Sequence, residues 1–224
     1  MLARYARGRS HGYDAKSIKE PAASWLYDVR HRVDWKQHAI ARNRALTAQA
    51  LGYAPEGPPD FGLDRSRLVG VAGAAGAPYG VLLHSTARPD KEWPEPNWRM
   101  LAAALGTGVD LVVPFGTEAE RQRAERIASA MARARVPERA PLDRVARLIA
   151  GASFVIGVDT GLLHLAAALG VPLVAIFSAT KPGLTGPMGP GLITVLGGLG
   201  AAPSVAEVIE AVGRVRELSQ GASL

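Results

Sequence analysis

Asp159, Thr160 and Gly161 follow the apolar run from Ala152 to Val158 and precede a helix-forming stretch that carries His164. The order reads as strand, tight turn and helix. A helix that opens at such a turn presents unpaired backbone N–H groups and the positive end of its dipole. That end suits a phosphate or diphosphate, with the Thr160 hydroxyl and the Gly161 amide as donors. The competing reading has Asp159 or Thr160 simply capping the helix and His164 filling a core or interhelical position.

A second polar turn lies upstream. Val81-Leu82-Leu83-His84 is a buried-strand pattern that runs into Ser85 and Thr86, with Lys91 a few residues further on. The Lys91 ammonium could neutralise a departing diphosphate while the Ser85 and Thr86 hydroxyls donate to its oxygens. Alternatively, Lys91 is a surface partner of Asp90 or Glu92, which would contribute little. Glu120 follows the apolar segment 109–114 and the turn Phe115-Gly116-Thr117. A carboxylate there can accept both ribose hydroxyls of a nucleotide, or it is a first-turn helix acid favoured by the dipole. Glu118, two residues away, is open to the same two readings. Trp93 and Trp98 read as packing residues.

Bringing these turns to one edge requires a parallel sheet. From Tyr79 onward the periodicity predicts strands 80–84, 109–114, 153–158 and 172–177, alternating with helices 95–105, 117–134, 141–150, 161–169 and 203–218. In such a sheet, ligands bind outside the carboxyl ends of the strands where the strand order switches. The expected fold class is α/β, a Rossmann-like parallel sheet flanked by helices at 81–224, with a helical segment before it. Residues 1–52 read as that helical segment, the periodic stretch Gln37–Leu51 being stopped by Gly52. Residues 53–80, with Pro55, Gly57, Pro58 and Pro59, read as a linker. The small-residue tract Val71–Ala77 reads as a loop and not as a dinucleotide fingerprint, because no strand precedes it in the required way.

Composition limits the remaining possibilities. At 224 residues and 48% hydrophobic content the chain can bury one good core with a smaller appendage. It has no cysteine, which excludes a disulfide framework and any thiolate metal site. The histidines at 11, 31, 38, 84 and 164 are not spaced with carboxylates as a metal cluster, so neither a metal nor another cofactor is expected. Neither Ser153 nor Ser178 sits in a G-x-S-x-G elbow. No segment approaches the ~20 apolar residues of a membrane span, and Met1–Arg7 lacks the apolar core of a signal peptide. The expectation is a cytoplasmic chain, soluble or at most peripheral to a membrane. All of the formal +6 charge lies in residues 1–52, where ten Lys/Arg face four Asp/Glu; the remainder is balanced at sixteen of each. These cations are interleaved with Trp25, Tyr27 and Trp35 and form no nucleic-acid motif. They suit an anionic lipid or a phosphorylated substrate, or form a solvated basic face.

His84-Ser85-Thr86-Ala87-Arg88-Pro89-Asp90-Lys91-Glu92-Trp93-Pro94 with Trp98, Gly157 to His164, and Thr180-Lys181-Pro182-Gly183-Leu184 together resemble the lipopolysaccharide heptosyltransferases of glycosyltransferase family 9. The resemblance runs from about Gly12 to the last helix. It implies the C-terminal half of a two-domain GT-B fold, an inverting transfer of L-glycero-D-manno-heptose from ADP-heptose to the Kdo sugar of lipid A, and no divalent ion. It places Ser85, Thr86, Lys91, Thr160 and Gly161 on the donor diphosphate, Glu120 on the ribose and Asp159 on heptose hydroxyls. His164 would support that turn or touch the donor, and Lys19 would face the acceptor. It further implies peripheral contact with the anionic inner membrane and no nucleic-acid partner. Two positions depart from the family pattern: Lys181 stands where relatives carry an acid, and Lys19 where they carry an arginine, which loses the bidentate fork. The resemblance also implies that most of the N-terminal domain, with its general-base aspartate, lies outside this sequence, residues 1–52 being its last helices. On that expectation the chain alone binds donor without turnover. A family member with another acceptor, or a nucleotide-sugar-binding module, are the alternatives.

Overall fold

The structure is a computed structural model that describes residues 7–69, 77–106 and 109–221. It divides into two compact units, Met1–Pro59 with Gly183–Thr185, and Asp60–Pro182 with Gly186–Leu224. The tract expected as a loop at Val71–Ala77 lies, up to residue 76, outside the described residues.

In the first unit, β1 (His11–Tyr13) pairs in parallel with β2 (Val29–His31), and a 3-10 turn spans Pro21–Leu26 between them. This corrects the reading of residues 1–52 as helical throughout. Three-residue strands are too short to show a period of two, and the pairing is imposed by contacts far apart in sequence. The buried Ser17 hydroxyl accepts the Val33 amide at 2.9 Å, and the Ser10 carbonyl accepts the Val29 amide at 3.0 Å. Helix α1 (Ala39–Leu51) follows, and it ends as expected at Gly52. There φ is 75°, a left-handed conformation that glycine adopts without a Cβ penalty.

The second unit is built on a six-stranded, all-parallel sheet. Its strands are β3 (Tyr79–Leu83), β4 (Asp110–Val112), β5 (Ala134–Arg135), β6 (Phe154–Val158), β7 (Leu173–Phe177) and β8 (Ile193–Gly197). They lie in the order β5-β4-β3-β6-β7-β8. The chain winds outward from β3 in one direction and then from β6 in the other, so the switch point lies between β3 and β6. The unit's helices are α2 (Arg65–Val69), α3 (Glu95–Leu105), α4 (Glu118–Ala128), α5 (Leu142–Gly151), α6 (Gly161–Ala168) and, after a short α7 (Pro182–Thr185) whose residues 183–185 group with the first unit, α8 (Val205–Gly221). The helix expected to run from 117 to 134 ends at Ala128, because residues 134–135 leave it to pair with β4. Within 53–80, expected as a linker, α2 is ordered helix. Its Arg65 donates to the carbonyls of Ala150 and Ala152 at 2.7 and 2.9 Å, closing the C-terminal end of α5.

Successive residues of each strand point to opposite faces of the sheet. Leu82, Phe154, Ile156, Val158, Val174 and Ile176 pack against α3, α4 and α8 on one face. Val81, Leu83, Val155, Leu173, Ala175 and Phe177 pack against α5 and α6 on the other. Strands β6 and β7 are buried at every position, which is why their sequences are continuous apolar runs without alternation. Gly157 keeps α6 close to the sheet: a Cβ there would stand 2.9 Å from the Leu83 Cβ and 3.1 Å from Leu163 Cδ1.

Candidate functional site

Four turns lie at the carboxyl ends of β3, β4, β6 and β7. The turn after β3 is anchored by its own far end. Trp93 and Trp98 are fully buried and meet edge to face at 5.3 Å, which adds about 0.5–1.5 kcal/mol to their area burial. The Trp93 indole N–H donates to the Pro203 carbonyl at 2.9 Å. From α4, Arg123 pairs with Glu92 and donates to the Trp93 carbonyl at 2.7 Å, and Arg126 grips Glu95 through two bonds at 2.8 and 2.9 Å. The loop that carries Lys91 is thereby fixed to α4 and to the segment before α8.

The turn after β6 receives that loop. The Lys91 Nζ stands 2.8 Å from Asp159 Oδ2, with the two side chains 19% and 8% exposed. The Thr86 hydroxyl donates to the Asp159 carbonyl at 3.0 Å. Asp90 and Glu92, the sequence neighbours that could have held Lys91 at the surface, instead pair with Arg88 and Arg123. Thr160 is the N-cap residue of α6 by position, yet its side chain makes no capping hydrogen bond. A Cβ at Gly161 would meet nothing within 4 Å, so the opening of α6 has room above it. An uncapped helix N-terminus beside a lysine and two hydroxyls has the donors and the charge an oxyanion requires.

The turn after β4 is held by a capping box. The Thr117 hydroxyl accepts the Glu120 amide at 3.3 Å, and Glu120 Oε2 accepts the amides of Gly116 and Thr117 at 2.6 and 3.1 Å. Burial pushes the Glu120 carboxyl up, but hydrogen bonds from Gly116, Thr117 and the Ser85 hydroxyl, with the field of His84, hold it below the ordinary glutamate range. The structure therefore brings Ser85 to Glu120 and Thr86 to Asp159. Glu118 is spent on the helix surface, where it pairs with Arg121. His164 lies half-buried on α6, one turn beyond Thr160, and Lys19 is an exposed residue of the first unit.

Three groups at these turns stand out only in the structure. The Thr180 hydroxyl, after β7, donates to Asp159 Oδ2 at 2.7 Å, and the Ser178 hydroxyl donates to the Asp90 carbonyl at 3.1 Å. His84 is fully buried, and neither ring nitrogen completes a hydrogen bond. Burial, and then the positive charge of Arg123, lower its pKa to about 4, so the ring is neutral near pH 7. A hydroxyl in a turn after a buried strand is the sequence signal for Ser178. Thr180 and His84 stand in the motifs that carry the family resemblance, which give their side chains no role. Among the described residues, no three His, Asp or Glu side chains cluster closely enough to hold a metal ion. No described helix is long and apolar enough to cross a membrane.

The family model for glycosyltransferase family 9 (heptosyltransferase) matches residues 1–211. The chain belongs to glycosyltransferase family 9. It is 41% identical over 191 residues to lipopolysaccharide heptosyltransferase 1 of Salmonella typhimurium, a match covering 84% of this chain and 60% of that protein. It is 46% identical over 180 residues to the Pseudomonas aeruginosa enzyme of the same name, covering 80% and 50%. The fold is similar to that of the Escherichia coli heptosyltransferase WaaC with ADP, with a TM-score of 0.84 and 35% identity over 96% of this chain and 68% of that one. These matches agree with the family and GT-B-type fold read from the motifs. The chain spans about half to three-fifths of the length of these curated relatives.

Proposed function

We propose that this chain provides the donor site of a heptosyltransferase that takes L-glycero-D-manno-heptose from ADP-heptose, with inversion, to the Kdo sugar of lipid A. The observation that carries this reading is the pairing of Lys91 with Asp159 at the uncapped opening of α6, beside the β3/β6 switch point. In the proposed site the diphosphate takes the α6 N-terminus and the Thr160 hydroxyl, and Lys91 turns to it from Asp159. Ser85 and Thr86 offer hydroxyls at its edge, Glu120 faces the ribose, Asp159 faces heptose hydroxyls and His164 stands one turn behind.

The chemistry is displacement at the anomeric carbon. The acceptor hydroxyl loses its proton to a base as the glycosidic bond to ADP breaks, and charge grows on the leaving phosphate. Lys91 and the helix dipole lie where that charge develops, which is the placement that lowers a barrier. Together they would neutralise the leaving diphosphate without a divalent ion. Lys19 and the basic first unit would face the phosphorylated, membrane-borne acceptor, with the protein peripheral on the cytoplasmic face of the inner membrane.

Titration calorimetry with ADP in the presence of EDTA tests the donor site. Saturable binding by the wild-type chain supports the reading, and absence of heat from ADP and ADP-heptose alike overturns it. A transfer assay with Kdo-lipid A tests the acceptor, and transfer to a heptosylated acceptor in its place would assign a different member of the family.

A further inference from the structure

Asp159 is a carboxylate with little water around it. Its side chain is 8% exposed, and its Oδ2 has two partners, the Lys91 ammonium at 2.8 Å and the Thr180 hydroxyl at 2.7 Å. A buried carboxylate deprived of partners is costly, because nothing replaces the hydration it has given up. If Lys91 were its only partner, any anion that drew Lys91 away would have to offset the full cost of leaving Asp159 alone. A hydroxyl that stays behind reduces that cost, since a hydrogen bond to a charged group is about twice as strong as one between neutral groups.

The turn after β7 is built to stay behind. Thr180 holds the carboxylate that faces Lys91, and Ser178, two residues earlier, holds the backbone at Asp90, next to Lys91. The Asp159 backbone is fixed separately by Thr86. Lys91 is the long, flexible member of the group. The carboxylate and the two hydroxyls sit on short side chains.

We propose that Thr180 is a positioning residue of the donor site: its hydroxyl holds Asp159 in place and shares its charge, so that Lys91 can leave for the donor's diphosphate. The inference rests on the donor-site reading above and adds a residue and a step to it. The step is an exchange of partners with no bond made or broken. Lys91 passes from carboxylate to phosphate, and Thr180 keeps Asp159 oriented towards whatever hydroxyls the bound sugar presents.

The test is calorimetry with ADP on the full chain and its variants. Thr180→Val is nearly isosteric and should weaken ADP binding by roughly five- to thirtyfold, while Thr180→Ser, which restores the hydroxyl, should stay within about twofold of wild type. In an Asp159→Asn background, where there is no charge to share, the Thr180→Val effect should shrink to about twofold or less. A Thr180→Val chain that binds as wild type does, a Thr180→Ser chain as weak as Thr180→Val, or a loss that persists undiminished beside Asp159→Asn would each overturn the proposal. Thr180→Ala serves in place of valine should the latter melt far below wild type.

A measurement without ADP separates this inference from the donor reading. Acetylation of Lys91 by a water-soluble active ester, followed by mass spectrometry, should slow severalfold in Thr180→Val and not in Thr180→Ser, because the lysine becomes the carboxylate's sole partner. An unchanged rate refutes the linkage whatever ADP does. Absence of ADP binding by the wild type refutes the donor reading while this rate still decides whether Thr180 acts on Lys91.

Discussion

Cations do different work in the two units. In the second, Lys91, Arg123 and Arg126 reach across the chain to carboxylates 31 or more residues away: Lys91 joins two turns of the switch-point edge, and the two arginines tie α4 to the segment between β3 and α3 and to the first residue of α3. In the first, Arg42 donates to the Ser17 carbonyl at 2.7 Å and lies over the rings of Tyr13 and Trp35 at 4.9 and 4.3 Å. Arg44 donates to the carbonyls of Glu56 and Gly57 at 2.8 and 2.9 Å, and Arg30 to Ser24 at 3.0 Å. Carbonyls and ring faces order a cation without cancelling its charge. The second unit uses its charge internally to build a site, whereas residues 1–52 carry a net +6 that their carboxylates do not balance.

Breaking a cross-chain pair should therefore be costly where breaking a carbonyl contact is cheap. Arg123→Ala leaves a mostly buried Glu92 without its partner and should cost about 3 kcal/mol of unfolding free energy. Arg44→Ala, on an exposed site, should cost within about 0.5 kcal/mol. Urea denaturation of both variants measures the contrast, and equal losses would erase it.

His84 sharpens the same contrast through pH. Its folded pKa of about 4 lies below the ordinary 6.5, so the unfolded chain binds the proton first as pH falls. Stability from this group is fully present above about pH 6.5, declines through the window between 6.5 and 4, and amounts to roughly 3 kcal/mol at most. A His84→Gln chain should lack that component, so its stability should fall less than that of wild type between pH 7 and about pH 4.5. Parallel losses would show that the ring titrates normally.

At the site itself, Lys91→Ala should weaken ADP binding by about 1.5–3 kcal/mol, the value of a charge-assisted contact, as read by calorimetry in EDTA. Glu120→Ala should remove the capping box and lower stability by about 1 kcal/mol. On the proposed ribose role it should also weaken ADP while leaving inorganic pyrophosphate unchanged. A loss of stability with ADP affinity intact would confine Glu120 to capping.

Much of this architecture was legible because its strands are wholly buried. Phe154–Val158 and Leu173–Phe177 read as unbroken apolar runs, and the helix over 95–105 matches α3 at both ends. Strand β8 was missed although Ile193, Thr194 and Val195 are β-branched, because an edge strand with partial exposure loses the continuous pattern. The two-residue β5 and three-residue β1 and β2 carry no periodicity, and only long-range pairing creates them. The site was legible as residue types at strand ends: Lys91, Thr86 and Asp159 do converge. What sequence could not supply is who partners whom. That Asp159 is shared with Thr180 depends on β7 lying beside β6, a fact of sheet order rather than of local sequence.

The remaining expected effect lies on the outward-facing side of the comparison. Lys16 and Lys19 are exposed, as are Arg30 and the Trp25 ring, the last at 76%. Near an anionic bilayer each cation contributes about 1 kcal/mol, screened within a Debye length, and an exposed tryptophan has an apolar body that suits the headgroup region. Charge reversal at Lys16, Lys19 and Arg30 together should lower the affinity for vesicles containing lipid A by several kcal/mol at low ionic strength. It should flatten the salt dependence and leave ADP binding unchanged. Trp25→Ala should weaken vesicle binding at every salt concentration, because area burial is not screened. Vesicle binding indifferent to salt and to all four residues would make the charge of residues 1–52 a solvated surface, and the acceptor would then have to be recognised elsewhere.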